Sequence, residues 1–165
     1  NRGRMPRRLA EQAVAMARKL VGTLGLRGMH GLDFMLDGQG PVVLELNPRP
    51  GAALALWDTA WPVGGLGAHV AACRGGPALP ARPVTVTGMR IVYAARSCRV
   101  DRSWRWPRWC RDLPGPGAWI GQGAPICTIF ASGATVRQVE ESLRRRLGWL
   151  ERQFQNHCRT EVETE

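Results

Sequence analysis

Hydrophobic residues recur every three to four positions near both ends of the chain, which predicts two amphipathic helices. The first spans residues 5–24, and its apolar stripe consists of Leu9, Ala13, Met16, Leu20 and Leu24. The second begins near Thr135, where Thr135 and Gln138 match a capping box. Its inward-facing positions are Val136, Val139, Leu143, Leu147, Leu150 and Phe154. Shorter helices are predicted at residues 52–61 and 67–74.

The segment between the helices predicted at residues 5–24 and 52–61 alternates instead between apolar and polar residues. This alternation predicts a β-hairpin. The apolar positions are Leu32, Phe34 and Leu36 before the turn, and Val42, Leu44 and Leu46 after it. A hairpin folded about Gln39 places Asp33 directly opposite Glu45, and Gly31 opposite Asn47. Because like charges directly opposite each other are destabilising, this carboxylate pair needs either a compensating cation or a salt-bridge partner.

Carboxylate and amide oxygens, without histidine or cysteine, are the ligands that Mg²⁺ prefers. Mg²⁺ is usually held by one or two carboxylates together with substrate phosphates. The hairpin therefore predicts half of a metal and phosphate site.

A segment rich in glycine and proline, "GGPALPARP", occupies residues 75–83 and predicts a linker between two domains. Residues 1–74 form the first domain, with helices and an antiparallel hairpin. Residues 84–156 form a small β-rich domain with the C-terminal helix, and the acidic tail, 157–165, is expected to be flexible. The predicted fold class is α/β, of the α+β kind.

Composition indicates the cellular location of the protein and the redox state of its cysteines. The 165 residues contain no apolar run of about 18 residues, and no charged-then-hydrophobic leader opens the chain. We therefore expect neither a membrane span nor a secretory signal, and a cytoplasmic location. The five cysteines are widely spaced and form no CxxC motif, which predicts reduced thiols instead of a disulfide framework or a zinc knuckle.

A net charge of +10 is compatible with an anionic partner. However, Lys19 is the only lysine among the 23 basic residues, and such a preference for arginine also fits the codon bias of a GC-rich genome. Between residues 96 and 111 an arginine occurs at every third position, and Trp104, Trp106 and Trp109 lie among them. Arginines with stacking aromatics suit single-stranded nucleic acid. However, a period of three fits neither a helix face nor a strand face. The favoured interpretation is that the tryptophans cover the β domain and that nucleic acid is not the partner.

The stretch "GLRGMHGLDFMLDGQGPVVLELNPRPG" resembles the end of the core of the ATP-grasp superfamily, which includes biotin carboxylase and D-alanine:D-alanine ligase. The later segments "GMRIVYAA" and "DLPGPGAWIGQGAPICTIFASG" resemble, more weakly, the small β domain that follows that core. As a whole, the chain resembles uncharacterised ATP-grasp proteins associated with methanopterin-linked one-carbon metabolism. The resemblance implies the C-terminal lobe of an ATP-grasp core, followed by a small β-rich domain and a terminal helix.

The resemblance also implies a function for individual residues. Asp33, Glu45 and Asn47 match the family's acidic residue and Glu-x-Asn element, which bind ATP through Mg²⁺, or through Mn²⁺ in its place. Arg49 matches the arginine that holds the acceptor carboxylate and its acyl-phosphate. The implied partners are a small carboxylate substrate, a nucleophile, and the N-terminal lobe of the ATP-grasp core, whose phosphate-binding lysines this chain lacks. The sequence does not decide whether the protein forms a homodimer.

Several alternatives remain. The chain could be a noncatalytic remnant of the fold that serves as an interaction module, or the carboxyl-terminal part of a longer ligase, which we favour. His69 and Cys73 have a spacing that suits metal ligation on a helix, but no second pair accompanies them. His30 lies beside the hairpin, where it either lines a substrate pocket or packs as a structural histidine.

Overall fold

The structure, a computed structural model, describes residues 5–77 and 85–159, with side chains up to Phe154. Contacts within the chain divide it into two compact units, residues 1–83 and 84–165.

Parts of the predicted linker and tail, residues 78–83 and 160–165, lie outside the described residues. Within the described part, no helix combines the length and the apolar character needed to cross a lipid bilayer.

The described part of the first unit, residues 5–77, contains three α-helices and one hairpin. In chain order its elements are α1 (Arg7–Thr23), β1 (Gly31–Leu36), β2 (Pro41–Asn47), α2 (Leu54–Trp57), a 3-10 turn (Asp58–Ala60) and α3 (Gly64–Cys73). Helix α1 starts directly after Pro6, which suits the first turn because its ring nitrogen has no hydrogen to leave unbonded. It stops before Gly25, which takes a left-handed φ of 61°. The single helix predicted at residues 52–61 is instead α2 followed by the 3-10 turn.

The hairpin is antiparallel, and its open end has the predicted register, with Gly31 opposite Asn47 and Asp33 opposite Glu45. The register shifts between Asp33 and Phe34, and Leu44 has no partner there. This shift is a β-bulge, in which one strand carries an extra residue.

The bulge changes which side chains share a face of the hairpin. Phe34 pairs with Val43, and Val42 pairs with Met35 on the opposite face. The prediction that Val42, Leu44 and Leu46 share one face is therefore wrong, because alternation along one strand cannot reveal an extra residue.

In the second unit, residues 85–159 form two small antiparallel sheets and a long helix. Its elements are β3 (Val86–Tyr93), β4 (Cys98–Val100), β5 (Cys110–Arg111), β6 (Trp119–Ile120), β7 (Pro125–Gly133), α4 (Val136–His157) and β8 (Cys158–Arg159). One sheet has the order β3-β7-β5 and the other β6-β4-β8. The segment between the two predicted long strands is thus less irregular than its sequence indicates, since it contributes three short strands.

Helix α4 covers β3 and β7, and its apolar stripe completes the core of this unit. Leu150 is fully buried, as is Ile129 of β7. Gly88 allows the close approach, because a Cβ at this position would lie 2.6 Å from Cγ1 of Val139. One predicted inward residue, Val136, is 61% exposed instead.

The start of α4 is a variant of the predicted capping box. The N–H of Gln138 donates to Oγ1 of Thr135 at 3.3 Å. In return, Oε1 of Gln138 accepts the N–H of Ala134 at 3.0 Å, one residue before the position expected for a capping box.

The tryptophans of the arginine-rich segment are part of the packed interior. Trp104, Trp106 and Trp109 are partly buried against the core. The ring centroids of Trp104 and Trp109 lie 6.1 and 5.7 Å from that of Trp149 on α4. The guanidinium of Arg146 lies 5.4 Å from the Trp109 ring centroid. These contacts fasten the segment to α4.

Among the cysteines whose side chains the structure describes, Cys98 departs from the sequence prediction. Cys98 is disulfide-bonded, so the prediction that all five thiols are reduced is wrong. Spacing along the chain does not show which cysteines the fold brings together. Cys110 and Cys127 are free and buried. A hydrogen bond between their side chains lowers the pKa of Cys110, and the same bond together with burial raises the pKa of Cys127.

If the tryptophans close the core, Trp109→Ala should lower the free energy of unfolding by about 2–4 kcal/mol, because it opens a cavity beneath α4. The matched control is Trp119→Ala, since Trp119 is 50% exposed and contacts the guanidinium of Arg99 at 5.9 Å. The control should cost about 1 kcal/mol or less. Urea unfolding followed by circular dichroism measures both. Equal losses in the two variants would contradict the structural role of Trp109.

Candidate functional site

The most distinctive chemical feature of the first unit is the carboxylate pair on the hairpin. Asp33 and Glu45 lie directly opposite each other, and both are exposed. Residues in this relation have Cβ atoms about 4.5–5.5 Å apart. The same face carries Met35 and Val42, which are 60% and 46% exposed. The pair therefore lies on an open face of the sheet.

Nothing in the described part of the chain compensates this pair. Ion pairs there join Arg7 to Glu11 and Arg137 to Glu141, and neither Asp33 nor Glu45 contacts a basic side chain among residues 5–77 and 85–154. Two like charges in this position repel each other. An oxygen-binding cation would remove that cost.

Asn47 extends the site toward the end of the hairpin. It lies two residues beyond Glu45 on the same strand, with no register shift between them, so the two side chains share a face. Asn47 is half-buried opposite Gly31, where an added Cβ would lie 3.5 Å from Cβ of Asn47. The fold thus places Asp33, Glu45 and Asn47 on one face, as the sequence predicts.

Arg49 follows the strand on a tight turn. Its backbone N–H donates to the carbonyl of Asn47 at 2.8 Å, and its side chain is exposed. Nη1 of Arg49 donates to the carbonyl of Pro50 at 3.5 Å. Pro48 and Pro50 restrict the backbone on both sides. The guanidinium is therefore held near the strand end, with its hydrogen-bonding edge available.

The other metal candidate from the sequence has a structural role. Sγ of Cys73 lies 3.6 Å from Nε2 of His69. However, Nδ1 of His69 accepts the N–H of Met29 at 3.0 Å, and Sγ of Cys73 lies 3.4 Å from the carbonyl of Arg27. The described residues contain no group of three or more His, Cys, Asp or Glu that could hold a metal ion.

The loop held by His69 and Cys73 passes very close to both side chains. Gly28 takes a φ of 90°, and a Cβ there would lie 2.6 Å from Nδ1 of His69. Only glycine fits this position without strain. The pair therefore fixes the loop that leads into β1.

A cavity of about 350 Å³ adjoins the strand end. Its lining includes His30, Gly31, Pro50, Leu54, Trp57 and Trp61. Sequence analysis identified His30 but missed Trp57 and Trp61. Trp61 follows the 3-10 turn in an extended conformation, so helical spacing from Trp57 could not have indicated it.

Comparison with known proteins finds similarity to one family model and to one curated protein. Residues 1–53 match the model of the ATP-grasp domain. An uncharacterised protein of Methanocaldococcus jannaschii is 26% identical over 123 residues, which cover 74% of this chain and 31% of that protein.

Solved structures share the fold. N5-carboxyaminoimidazole ribonucleotide synthetase of Thermotoga maritima has a TM-score of 0.63 at 16% identity, over 88% of this chain and 43% of its own. The same synthetase from Thermus thermophilus gives 0.60 at 19% identity, over 86% and 39%. L-amino acid ligase of Bacillus licheniformis gives 0.65 at 15% identity, over 96% and 42%.

These findings confirm the resemblance to the ATP-grasp superfamily that the sequence predicts. The mixed helix and antiparallel sheet architecture matches that of these solved structures. This chain spans about a third of the length of the archaeal relative and about two-fifths of the solved chains.

Because Asp33 and Glu45 repel each other without a cation, neutralising either one in a chelator-containing buffer should not destabilise the fold. We expect Asp33→Asn and Glu45→Gln each to raise the free energy of unfolding by about 0.2–1 kcal/mol. Glu140→Gln is the control, since Glu140 is exposed on α4 and its change removes the same charge. Thermal melts in EDTA measure the effect. A loss of stability in both hairpin variants would show that the carboxylates have another compensating contact.

Proposed function

We propose that the protein containing this chain is an ATP-dependent ligase that joins a carboxylate to an amine or a thiol. The observation that carries the proposal is the uncompensated pair of Asp33 and Glu45 on an open sheet face, with Asn47 beside it. The names of the related structures, a synthetase and a ligase, support the same reaction class.

The donor set fits Mg²⁺, and Mn²⁺ could replace it. Two carboxylates and one amide offer oxygen atoms only, which both ions accept. They are too few to complete an octahedral shell, so oxygens from ATP phosphates and water would supply the rest. When bound, the metal would neutralise charge on the phosphates during transfer. Asp33, Glu45 and Asn47 would hold it and thereby orient ATP.

The chemistry follows from the weakness of a carboxylate as an electrophile. Transfer of the γ-phosphoryl group of ATP to a carboxylate oxygen gives an acyl-phosphate and ADP. The amine or thiol then attacks the carbonyl carbon, the bond from carbon to the phosphate oxygen breaks, and inorganic phosphate leaves. The nucleophile loses one proton, and the product is an amide or a thioester.

Arg49 would orient the acceptor. Its planar guanidinium can bind a carboxylate through two parallel hydrogen bonds. The turn to Asn47 and the flanking prolines keep the backbone of Arg49 next to the proposed metal ligands. The same fork would stabilise charge on the acyl-phosphate oxygens as they form.

The other lobe of the site is expected in an upstream segment of the longer protein. ATP-grasp ligases bind ATP between two lobes, and lysines from the opposite lobe would contact the phosphates. Lys19 is the only lysine here, and it is exposed on α1. It cannot replace two separate phosphate lysines.

The packing of the tryptophans argues for this proposal over a nucleic-acid function. Stacking with bases requires accessible aromatic faces. Trp104, Trp106 and Trp109 instead pack against the core and against one another, with Trp104 and Trp106 centroids 5.6 Å apart.

In the full-length protein, Glu45→Gln and Asn47→Ala should each lower ATP-dependent ligation by about 100-fold or more, since they remove ligands that position transferring charge. Glu140→Gln should keep full activity. Product formation and ADP release at saturating Mg²⁺ measure the effect, and circular dichroism checks the fold. A folded wild-type protein that binds no Mg-ATP would instead support the noncatalytic remnant.

The 165-residue chain alone should not turn over ATP. Its carboxylate face is exposed, and an open half-site cannot exclude water or hold the phosphates from both sides. A coupled assay for ADP release at millimolar Mg-ATP measures this. Turnover by the purified chain, abolished by Glu45→Gln, would show that no second lobe is needed.

A further inference from the structure

A cavity of about 440 Å³ lies in the second unit, beside the end of α4. Buried apolar side chains belong to its lining, among them Val92 and Leu150. Tyr93, Ala95 and Arg96 also line it and are exposed, so they form its rim. The cavity therefore has an apolar interior that can accept a side chain from another segment.

Strand β8 directs the chain that follows it toward this cavity. In the antiparallel pair of β8 and β4, Cys158 lies opposite Val100 and Arg159 lies opposite Arg99. If the same register continues, residues 160–162 would lie opposite residues 98, 97 and 96 in turn. Cys98 and Arg96 both line the cavity. A continuation of β8 by three residues would therefore reach it.

The sequence after β8 has the pattern of a strand. Residues 160–165 lie outside the described residues, and their sequence, "TEVETE", alternates β-branched residues with glutamates. Such alternation is typical of a strand with one face against protein and the other toward solvent. Thr160 would lie opposite Cys98, which is 1% exposed, so Thr160 and Val162 would face the interior.

The charge of the second unit favours an acidic segment. Residues 85–154 contain 12 arginines but only five aspartates and glutamates. Arg99 on β4 is exposed, and its Nη1 donates to the carbonyl of Gly117 at 3.1 Å. In the continued register, Glu161 would lie on the same face as Arg99 and diagonal to it, where opposite charges attract each other.

We propose that residues 160–162 extend β8 along β4 and cover this cavity, with Val162 in its opening and Glu161 beside Arg99. The bend at residues 95–96 ends the regular pairing, so Glu163 and the residues after it lie beyond the bound segment. The occupant of the cavity is the chain itself, and small molecules cannot enter while the segment is bound. Because β8 tethers the segment, its binding is intramolecular and needs few contacts.

Hydrogen exchange of the 165-residue chain, followed by mass spectrometry, tests the proposal. Amides 160–162 should exchange at least about tenfold more slowly than in a synthetic peptide of residues 155–165, because paired backbone groups open rarely. Val162→Ser should remove most of this protection, since it replaces the buried apolar side chain. Glu163→Ser is the matched control at the next position, and it should retain the protection.

Labelling of Tyr93 shows whether the segment covers this particular cavity. Tyr93 is the only tyrosine of the chain, lines the cavity and is 57% exposed. A chain ending at Arg159 should be iodinated at Tyr93 about twofold faster, because the neighbouring segment is gone. Val162→Ser should act in the same direction, and Glu163→Ser should not. Circular dichroism checks that each variant folds.

Four results would overturn the proposal. Exchange of amides 160–162 at the rate of the free peptide would show that the segment does not bind. A larger loss of protection in Glu163→Ser than in Val162→Ser would show that charge alone holds it. Protection that falls on dilution would show that it binds a second copy of the chain. Unchanged labelling of Tyr93 after truncation would place the segment elsewhere.

Discussion

Two negative charges held opposite each other on one sheet face are the constraint on which the candidate site depends. A hairpin can keep Asp33 and Glu45 in this relation only while its register is correct, because a slip of one residue would turn one carboxylate to the other face. The register is set at the turn, where Oδ1 of Asp37 accepts the N–H groups of Gln39 and Gly40 at 2.7 and 2.8 Å.

The bulge is the second part of that constraint. At the turn, Leu36 pairs with Pro41, so the hairpin folds between Gly38 and Gln39 and not about Gln39. Without the bulge, Asp33 would lie opposite Leu44. The extra residue in β2 brings Glu45 opposite Asp33, while the apolar residues nearer the turn keep the unshifted pairing.

Different interactions hold each unit together. In the second unit, a buried strand and the stripe of α4 form a core that tryptophans from an irregular segment close. In the first unit, α1 has no fully buried residue, and the loop before β1 is held by a hydrogen bond from Met29 to His69 and by one from Cys73 to Arg27. That loop determines where His30 lies. His69 and Cys73 therefore position one wall of the cavity beside the hairpin.

The sequence by itself determined the elements whose signals are local. The stripes of α1 and α4, the alternation of the hairpin and the spacing of Asp33, Glu45 and Asn47 all lie within short stretches, and backbone geometry converts such spacing directly into a face. The pairing of Asp33 with Glu45 was predicted correctly although the assumed turn centre was not, because the displaced turn and the bulge offset each other.

Tertiary structure alone decided the features that join distant parts of the chain. The bulge, the disulfide at Cys98, the contact of His69 with Met29 and the cavity between His30 and Trp57 depend on which segments meet, and periodicity carries no information about that. The arginines and tryptophans of residues 96–111 show the same limit. Their spacing fits no regular face, and packing against α4 determined that the tryptophans belong to the core.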